Sequence, residues 1–230
     1  MPSLINTPGI YAITDAQLMP EEQLLYSRVE SALKGGLALL QYRDKTADAS
    51  KALRQARELA SLCKSYNTLL IINDDPYLAR ACAADGVHLG QGDGCLSHAR
   101  EFLGTNKILG RTCHNSKELA EQAAQEGADY LAFGRCYASA TKPSAPAAPL
   151  SIFSQTAHLG LLRVAIGGIN TPERAQEVCR AGANLVAAVE GVFAHKHPEQ
   201  AVLNYHQALR ASFPNSPSIE VNHDSLSRTL

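Results

Sequence analysis

The stretch Leu69–Asp93, LLIINDDPYLARACAADGVHLGQGD, carries the fold in miniature. Four aliphatic residues, Leu69 to Ile72, run straight into Asn73, Asp74 and Asp75, and a second short apolar run, Gly86 to His88, follows a connecting segment. Short aliphatic runs alternating with longer segments of helical period are the mark of a parallel sheet wrapped by helices. Asp74 and Asp93 then lie just past the ends of adjacent parallel strands.

The same alternation extends in both directions. Candidate strands lie near Ile10 to Thr14, Leu37 to Tyr42, Leu69 to Ile72, Gly86 to His88, Lys107 to Gly110, Tyr130 to Phe133, Leu162 to Ile166 and Leu185 to Val189. Amphipathic stretches such as Pro20 to Leu33, Ser50 to Cys63 and Ser116 to Gln125 repeat apolar residues at three- and four-residue steps and have the length of crossover helices. Eight βα units in about 200 residues predict an α/β fold, a single (β/α)8 TIM barrel with its chemistry at the C-terminal ends of the strands. A doubly wound open sheet is the alternative. The barrel is assigned to residues 1–212. PSAPAAP, Pro143 to Pro149, is too rich in proline for helix and predicts a mobile, lid-like loop after the sixth strand. The polar stretch 213–230 has no helical stripe and predicts a poorly ordered tail.

With 230 residues, 45% hydrophobic and 19% charged, the chain can bury a substantial core. Lys plus Arg number 21 against 22 Asp plus Glu, so no global field draws nucleic acid or an anionic membrane, and any anion site must be local. No run of ~18 apolar residues and no secretory leader pattern stands in the sequence. Six cysteines without C-x-x-C pairing read as reduced thiols. A cytoplasmic location is expected.

QYRDK places Gln41, Arg43 and Lys45 at alternate positions, so an extended backbone points all three one way. An Arg fork beside a Lys point charge suits a diphosphate; a surface salt-bridge cluster with Asp44 is the plainer reading. In IINDD, helix capping is the plainer reading and explains one of the three polar residues. Asp74 and Asp93, facing one cleft, require a cation or a shared proton, and hard oxygen ligands beside phosphate favour Mg2+. His88 reads as a packed, hydrogen-bonded core histidine. FGRCYASATKPSAP supplies Ser139, Thr141 and Lys142 as phosphate donors or as a solvated turn. IGGIN offers Gly167 and Gly168 for close backbone approach, with Asn170 and Thr171 opening a helix. The segment around Val189, Glu190 and Gly191 completes a phosphate site of the kind barrels carry near strands seven and eight.

Taken in order, YAITD, QYRDK, INDD, ADGVHLGQGD, ATKP and GGIN resemble the successive motifs of the thiamine-phosphate synthase family over residues 9–212. The resemblance implies a transferase of thiamine biosynthesis that condenses 4-amino-2-methyl-5-hydroxymethylpyrimidine pyrophosphate with a thiazole phosphate, either hydroxyethylthiazole phosphate or its carboxylated form. It further implies that Gln41 contacts the aminopyrimidine and that Arg43, Lys45, Asn73 and Lys142 hold its pyrophosphate. By the same resemblance Asp74 and Asp93 bind Mg2+, and Ser139, Thr141, Gly168 and the amides near Val189 and Glu190 receive the thiazole phosphate. Thr112 stands where the family usually has Ser. Glu190 also replaces a usual serine, which requires its carboxylate to point away from bound phosphate. Homo-oligomerisation is a family-level expectation.

The implied reaction needs no general base, because the thiazole nitrogen carries no proton. The lack of an evident Ser/His/Asp or Cys/His set agrees with this. Two rivals are a thiazole-tautomerase-like barrel, which has no pyrophosphate to hold, and a non-catalytic phosphate-ligand sensor.

Overall fold

The computed structural model describes residues 8–138 and 147–212. Ser139, Thr141, Lys142, most of the Pro143–Pro149 segment and the 213–230 tail lie outside the described residues.

Eight strands alternate with helices in the predicted order. The first half comprises β1 (Gly9–Ile13), α1 (Glu22–Lys34), β2 (Leu39–Tyr42), α2 (Ala49–Ser65), β3 (Leu69–Asn73), α3 (Pro76–Ala81), β4 (Gly86–Leu89) and α4 (Leu96–Leu103). The second half comprises β5 (Ile108–His114), α5 (Lys117–Gln125), β6 (Tyr130–Phe133), α6 (Ser151–Gln155), β7 (Leu162–Ile166), α7 (Pro172–Arg180), β8 (Leu185–Ala188), α8 (Glu190–Phe193) and α9 (Pro198–Ser212). Every strand pairs in parallel with its sequence neighbours, and β8 pairs with β1, closing the barrel. The open sheet is thereby excluded. The largest strand difference is β5, which continues through Arg111, Thr112 and Cys113 to His114 with a register shift against β6. Polar residues at a barrel mouth hide a strand end from a reading based on apolar runs.

Each strand sends alternate side chains to two cores. Tyr11, Leu39, Ile71, Tyr130, Val164 and Leu185 fill the barrel interior. Ile10, Leu40, Leu70, Leu131, Ala165 and Val186, their chain neighbours, pack against the helices. This parity sets the site. The next inward positions after Leu39, Ile71 and Gly110 are Gln41, Asn73 and Thr112, where the interior turns polar at the C-terminal mouth. Gly110 has its own reason: a Cβ there would lie 2.0 Å from the Tyr130 ring, so the missing side chain makes room for the aromatic one.

Residues just before β4, β6 and β8 tie the opposite end. Asp85 accepts from the Leu70 N–H at 2.7 Å, Asp129 from Leu109 at 2.8 Å, and Asn184 from Arg163 at 2.9 Å. Each satisfies a backbone donor at the start of the preceding strand. Asp85 is therefore accounted for structurally. Thr171 caps α7 through the Arg174 N–H, as its place after IGGIN predicts. All six cysteines are free thiols. Among the described residues, no helix is long and apolar enough to cross a membrane.

Candidate active site

One cavity opens at the C-terminal mouth of the barrel. Its floor is apolar, built by Ile13, Ala132, Val164, Ile166 and Ala187, and its rim is polar. Gln41, Arg43, Lys45, Asn73, Asp74 and Asp93 line one side; Thr112 lies on the wall; Gly168, Val189 and Glu190 line the side formed by the last two strands. The structure thus gathers every predicted site residue that it describes. Of the five charged residues on which the pyrophosphate reading depends, Arg43, Lys45, Asp74 and Asp93 meet at one rim, and Lys142 lies outside the described residues.

β2 ends at Tyr42, yet Arg43 and Lys45 both line the cavity, and the chain at Arg43 is tied to the end of β1. Thr14, at the end of β1, accepts from the Arg43 N–H at 2.8 Å and donates its hydroxyl to the Arg43 carbonyl at 3.2 Å. The salt-bridge alternative for QYRDK is taken up elsewhere. Asp44 accepts from Thr46 and Ala47 and pairs with Lys51 at 3.1 Å, while Lys45 reaches Asp74 at 3.2 Å.

IINDD divides its labour in the same way. Asp75 is the cap, accepting from the Tyr77 and Leu78 N–H groups at 2.8 and 2.9 Å. Asp74 instead takes a left-handed backbone, φ 64°, and its carboxylate accepts from Asn73 Nδ2 at 2.6 Å. Burial works to raise the Asp74 carboxyl, but hydrogen bonds with Asp93, Lys45 and Asn73 outweigh it and hold the group below the usual carboxylate range. Asp93 is pushed the other way, by burial first and then by the neighbouring Asp74. Two carboxylates in contact, one favouring the charged form and one opposing it, form a site that a cation would relieve.

The Asp93 loop is positioned by a residue that the sequence does not single out. Arg111, 8% exposed, donates from Nη1 to the carbonyls of Gly90 at 3.0 Å and Gly94 at 2.8 Å, and Gln91 donates to the Thr112 carbonyl. The Gly90 N–H in turn donates to Asp93 Oδ2 at 3.0 Å. A charged residue inside the apolar-to-polar turn of β5 is the only signal that marked Arg111 in advance.

On the opposite side, Gly167 and Gly168 have φ 96° and 68° and lie against the segment after β6. A Cβ on Gly168 would come within 2.3 Å of the Ala138 carbonyl oxygen. Arg174 fastens this turn. Its Nη1 donates to the Gly168 carbonyl at 2.7 Å and to Asn170 Oδ1 at 2.8 Å, while its guanidinium lies 4.9 Å from the centre of the Tyr137 ring. Tyr137 donates to Glu177 at 2.6 Å. With its carbonyl drawn toward Arg174, the glycine turn is fixed from behind. Glu190 is an exposed rim residue.

His88 behaves as a packed, hydrogen-bonded histidine, bonded to Tyr130 and Thr112, and it also borders the cavity. Among the described residues, no three His, Cys, Asp or Glu side chains cluster to hold a metal by themselves. Mg2+ is commonly held by one or two carboxylates together with phosphate oxygens and water, so the Asp74–Asp93 pair fits that ion in a complex with a diphosphate.

An apolar cup under a rim of cations and paired acids, on the catalytic face of a (β/α)8 barrel, marks an enzyme site suited to a small phosphorylated molecule. The family model described as thiamine monophosphate synthase matches residues 10–192. A thiamine-phosphate synthase from Marinobacter nauticus is 54% identical over 186 residues, covering 81% of this chain and 83% of the relative. One from Saccharophagus degradans is 50% identical over 195 residues, covering 84% and 89%. The solved thiamine phosphate pyrophosphorylase from Pyrococcus furiosus superposes with a TM-score of 0.81 at 28% identity, covering 91% of this chain and 98% of its own. The chain belongs to the thiamine monophosphate synthase family.

Proposed function

We propose that this protein joins 4-amino-2-methyl-5-hydroxymethylpyrimidine pyrophosphate to a thiazole phosphate, releasing thiamine phosphate and pyrophosphate. The observation that carries the reading is the convergence of Arg43, Lys45, Asn73, Asp74 and Asp93 on one rim above an apolar cup. The relatives' names support this reading, and the rim supplies chemistry suited to it.

In this reading the pyrimidine ring enters the cup with its edge at Gln41, and its diphosphate lies against Arg43, Lys45 and Asn73, with Lys142 added from the segment after β6. Asp74 and Asp93 would hold Mg2+, which when bound supplies positive charge to the leaving diphosphate. The methylene carbon–oxygen bond breaks with its electron pair leaving on pyrophosphate, and the thiazole nitrogen lone pair forms the new carbon–nitrogen bond. Arg43 and Lys45 stabilise the charge that grows on the leaving oxygen. Ile13, Ala132, Val164 and Ala187 keep water from the cationic carbon. Gly168 and the amides near Val189 and Glu190 receive the thiazole phosphate, and the family resemblance assigns Ser139 and Thr141 to the same group.

Incubating the purified protein with both substrates, with and without Mg2+, tests the reading. Thiamine phosphate formed only when all three are present is the expected result. Ligand-induced thermal stabilisation without product would instead mark a sensor. Isomerisation of a thiazole carboxylate phosphate without coupling would mark a tautomerase.

A further inference from the structure

Five side chains from five strands form one hydrogen-bonded line across the barrel beneath the site. Gln41 Nε2 donates to the Tyr11 hydroxyl at 2.6 Å, and the Tyr11 and Tyr130 hydroxyls lie 2.9 Å apart. Tyr130 Oη is 2.9 Å from His88 Nδ1, and His88 Nε2 is 2.8 Å from Thr112 Oγ1. The two ends, Gln41 and Thr112, both border the cavity. Tyr11 and Tyr130 are buried with their rings edge to face, and the Tyr130 ring stacks on His88 at 5.5 Å. Burial pushes both phenols up, so both stay neutral.

A neutral hydroxyl has one hydrogen to give, and a buried one left unpaired is costly, so a line that uses every hydrogen runs in a single direction. With Gln41 donating to Tyr11, Tyr11 donates to Tyr130 and Tyr130 donates to His88 Nδ1. His88 then carries its proton on Nε2 and donates it to Thr112, whose own hydrogen turns elsewhere. With every buried hydrogen in the line paired, reversing any one link reverses them all, including the amide of Gln41; reversing one alone would strand a buried phenol hydrogen.

We infer that Tyr11, Tyr130 and His88 are positioning residues that fix this direction, so that Gln41 offers its carbonyl and Thr112 its hydroxyl hydrogen to the cavity. The site is thereby selective for a ring presenting a donor to Gln41 and an acceptor to Thr112. A 4-aminopyrimidine has a donor amino group beside an acceptor ring nitrogen. Its 4-oxo counterpart reverses both. This identification of the ring rests on the proposed function, whereas the direction of the line does not.

Two measurements on the full chain test the inference. Nitrogen-15 NMR of histidine-labelled protein, with His88 assigned by its loss in His88→Gln, should show Nδ1 unprotonated and Nε2 protonated. A proton on Nδ1 overturns the inference, whatever reaction the protein catalyses. Tyr130→Phe deletes one oxygen and cuts the line in the middle. Its ratio of kcat/KM for the 4-amino over the 4-oxo pyrimidine diphosphate should fall about tenfold or more, because Gln41 becomes free to turn. Tyr11→Phe should do the same. An unchanged ratio in both variants, even with lower turnover, overturns the inference. If the native protein forms no thiamine phosphate, the functional reading fails and the NMR result still decides the direction.

Discussion

Replacing Arg174 with Ala should weaken use of the thiazole phosphate and spare the pyrimidine diphosphate. The Arg174 guanidinium makes hydrogen bonds of 2.7 Å to the Gly168 carbonyl and 2.8 Å to Asn170 Oδ1, and it lies over Tyr137. A charge-assisted hydrogen bond contributes about 1.5–3 kcal/mol, and an exposed cation–π contact about 0.5 kcal/mol. Water at the partly open rim can rehydrate both acceptors, so the loss should fall near the strength of one bond plus the ring contact, about 2 kcal/mol. That corresponds to roughly thirtyfold in kcat/KM. Steady-state kinetics with each substrate varied in turn is the assay, and the loss should appear as a raised KM for the thiazole phosphate. Arg174→Lys keeps the charge without the planar fork and should recover only a few-fold. A loss below threefold, or one shared equally by the two substrates, would refute the idea that the fork sets the glycine turn.

Asp93→Ala and Lys142→Ala should each lose most synthase turnover while circular dichroism and thermal melting show the fold kept; near-normal turnover in both rejects their assigned roles. Asp93→Asn should stabilise the protein in metal-free buffer at pH 7. The Asp93 carboxyl is held above its ordinary range by burial and by Asp74, so its ionised form opposes folding at neutral pH and ceases to do so once pH falls below the unfolded carboxylate range. For this exposed group the gain should be only a degree or two in Tm, vanishing below about pH 4; a lower Tm at pH 7 would count against the like-charge strain. Gly191→Ala would bring a Cβ within 2.1 Å of the Tyr205 hydroxyl, which donates to the Ile169 carbonyl at 3.0 Å. Overpacking of this kind costs about 1–3 kcal/mol and should lower Tm by several degrees, with partial recovery in Gly191→Ala/Tyr205→Phe; a melting point unchanged by Gly191→Ala would show that the turn yields freely.

The same residue types carry opposite duties here, and the chain alone does not separate them. Asp74 and Asp75 are adjacent acids after one strand, yet one caps α3 and the other faces Lys45. Asp44 sits between two cavity-lining cations and pairs with neither, turning instead to Lys51 one helical element away. Tyr11 and Tyr130 lie inside strand-like runs, where an aromatic reads as ordinary strand composition, and Arg111 directly follows the apolar run that ends at Gly110. Their partners are 119 residues apart for the tyrosines, and Arg111 reaches loop carbonyls 17 and 21 residues away.

What the sequence by itself determined was the number and order of the βα units, because apolar runs and helical periods are local properties of the chain. It also marked the polar positions at the ends of strands two, three, four, seven and eight, because a barrel places its chemistry there. The tertiary structure alone decided which way those positions face. Strands covered on both sides have no polar alternation to reveal their inward parity, and barrel closure fixes it by setting Tyr11 against Tyr130 and Asp74 against Asp93. Charge pairing and hydrogen-bond direction depend on distances between strands, and those exist only once the sheet has closed.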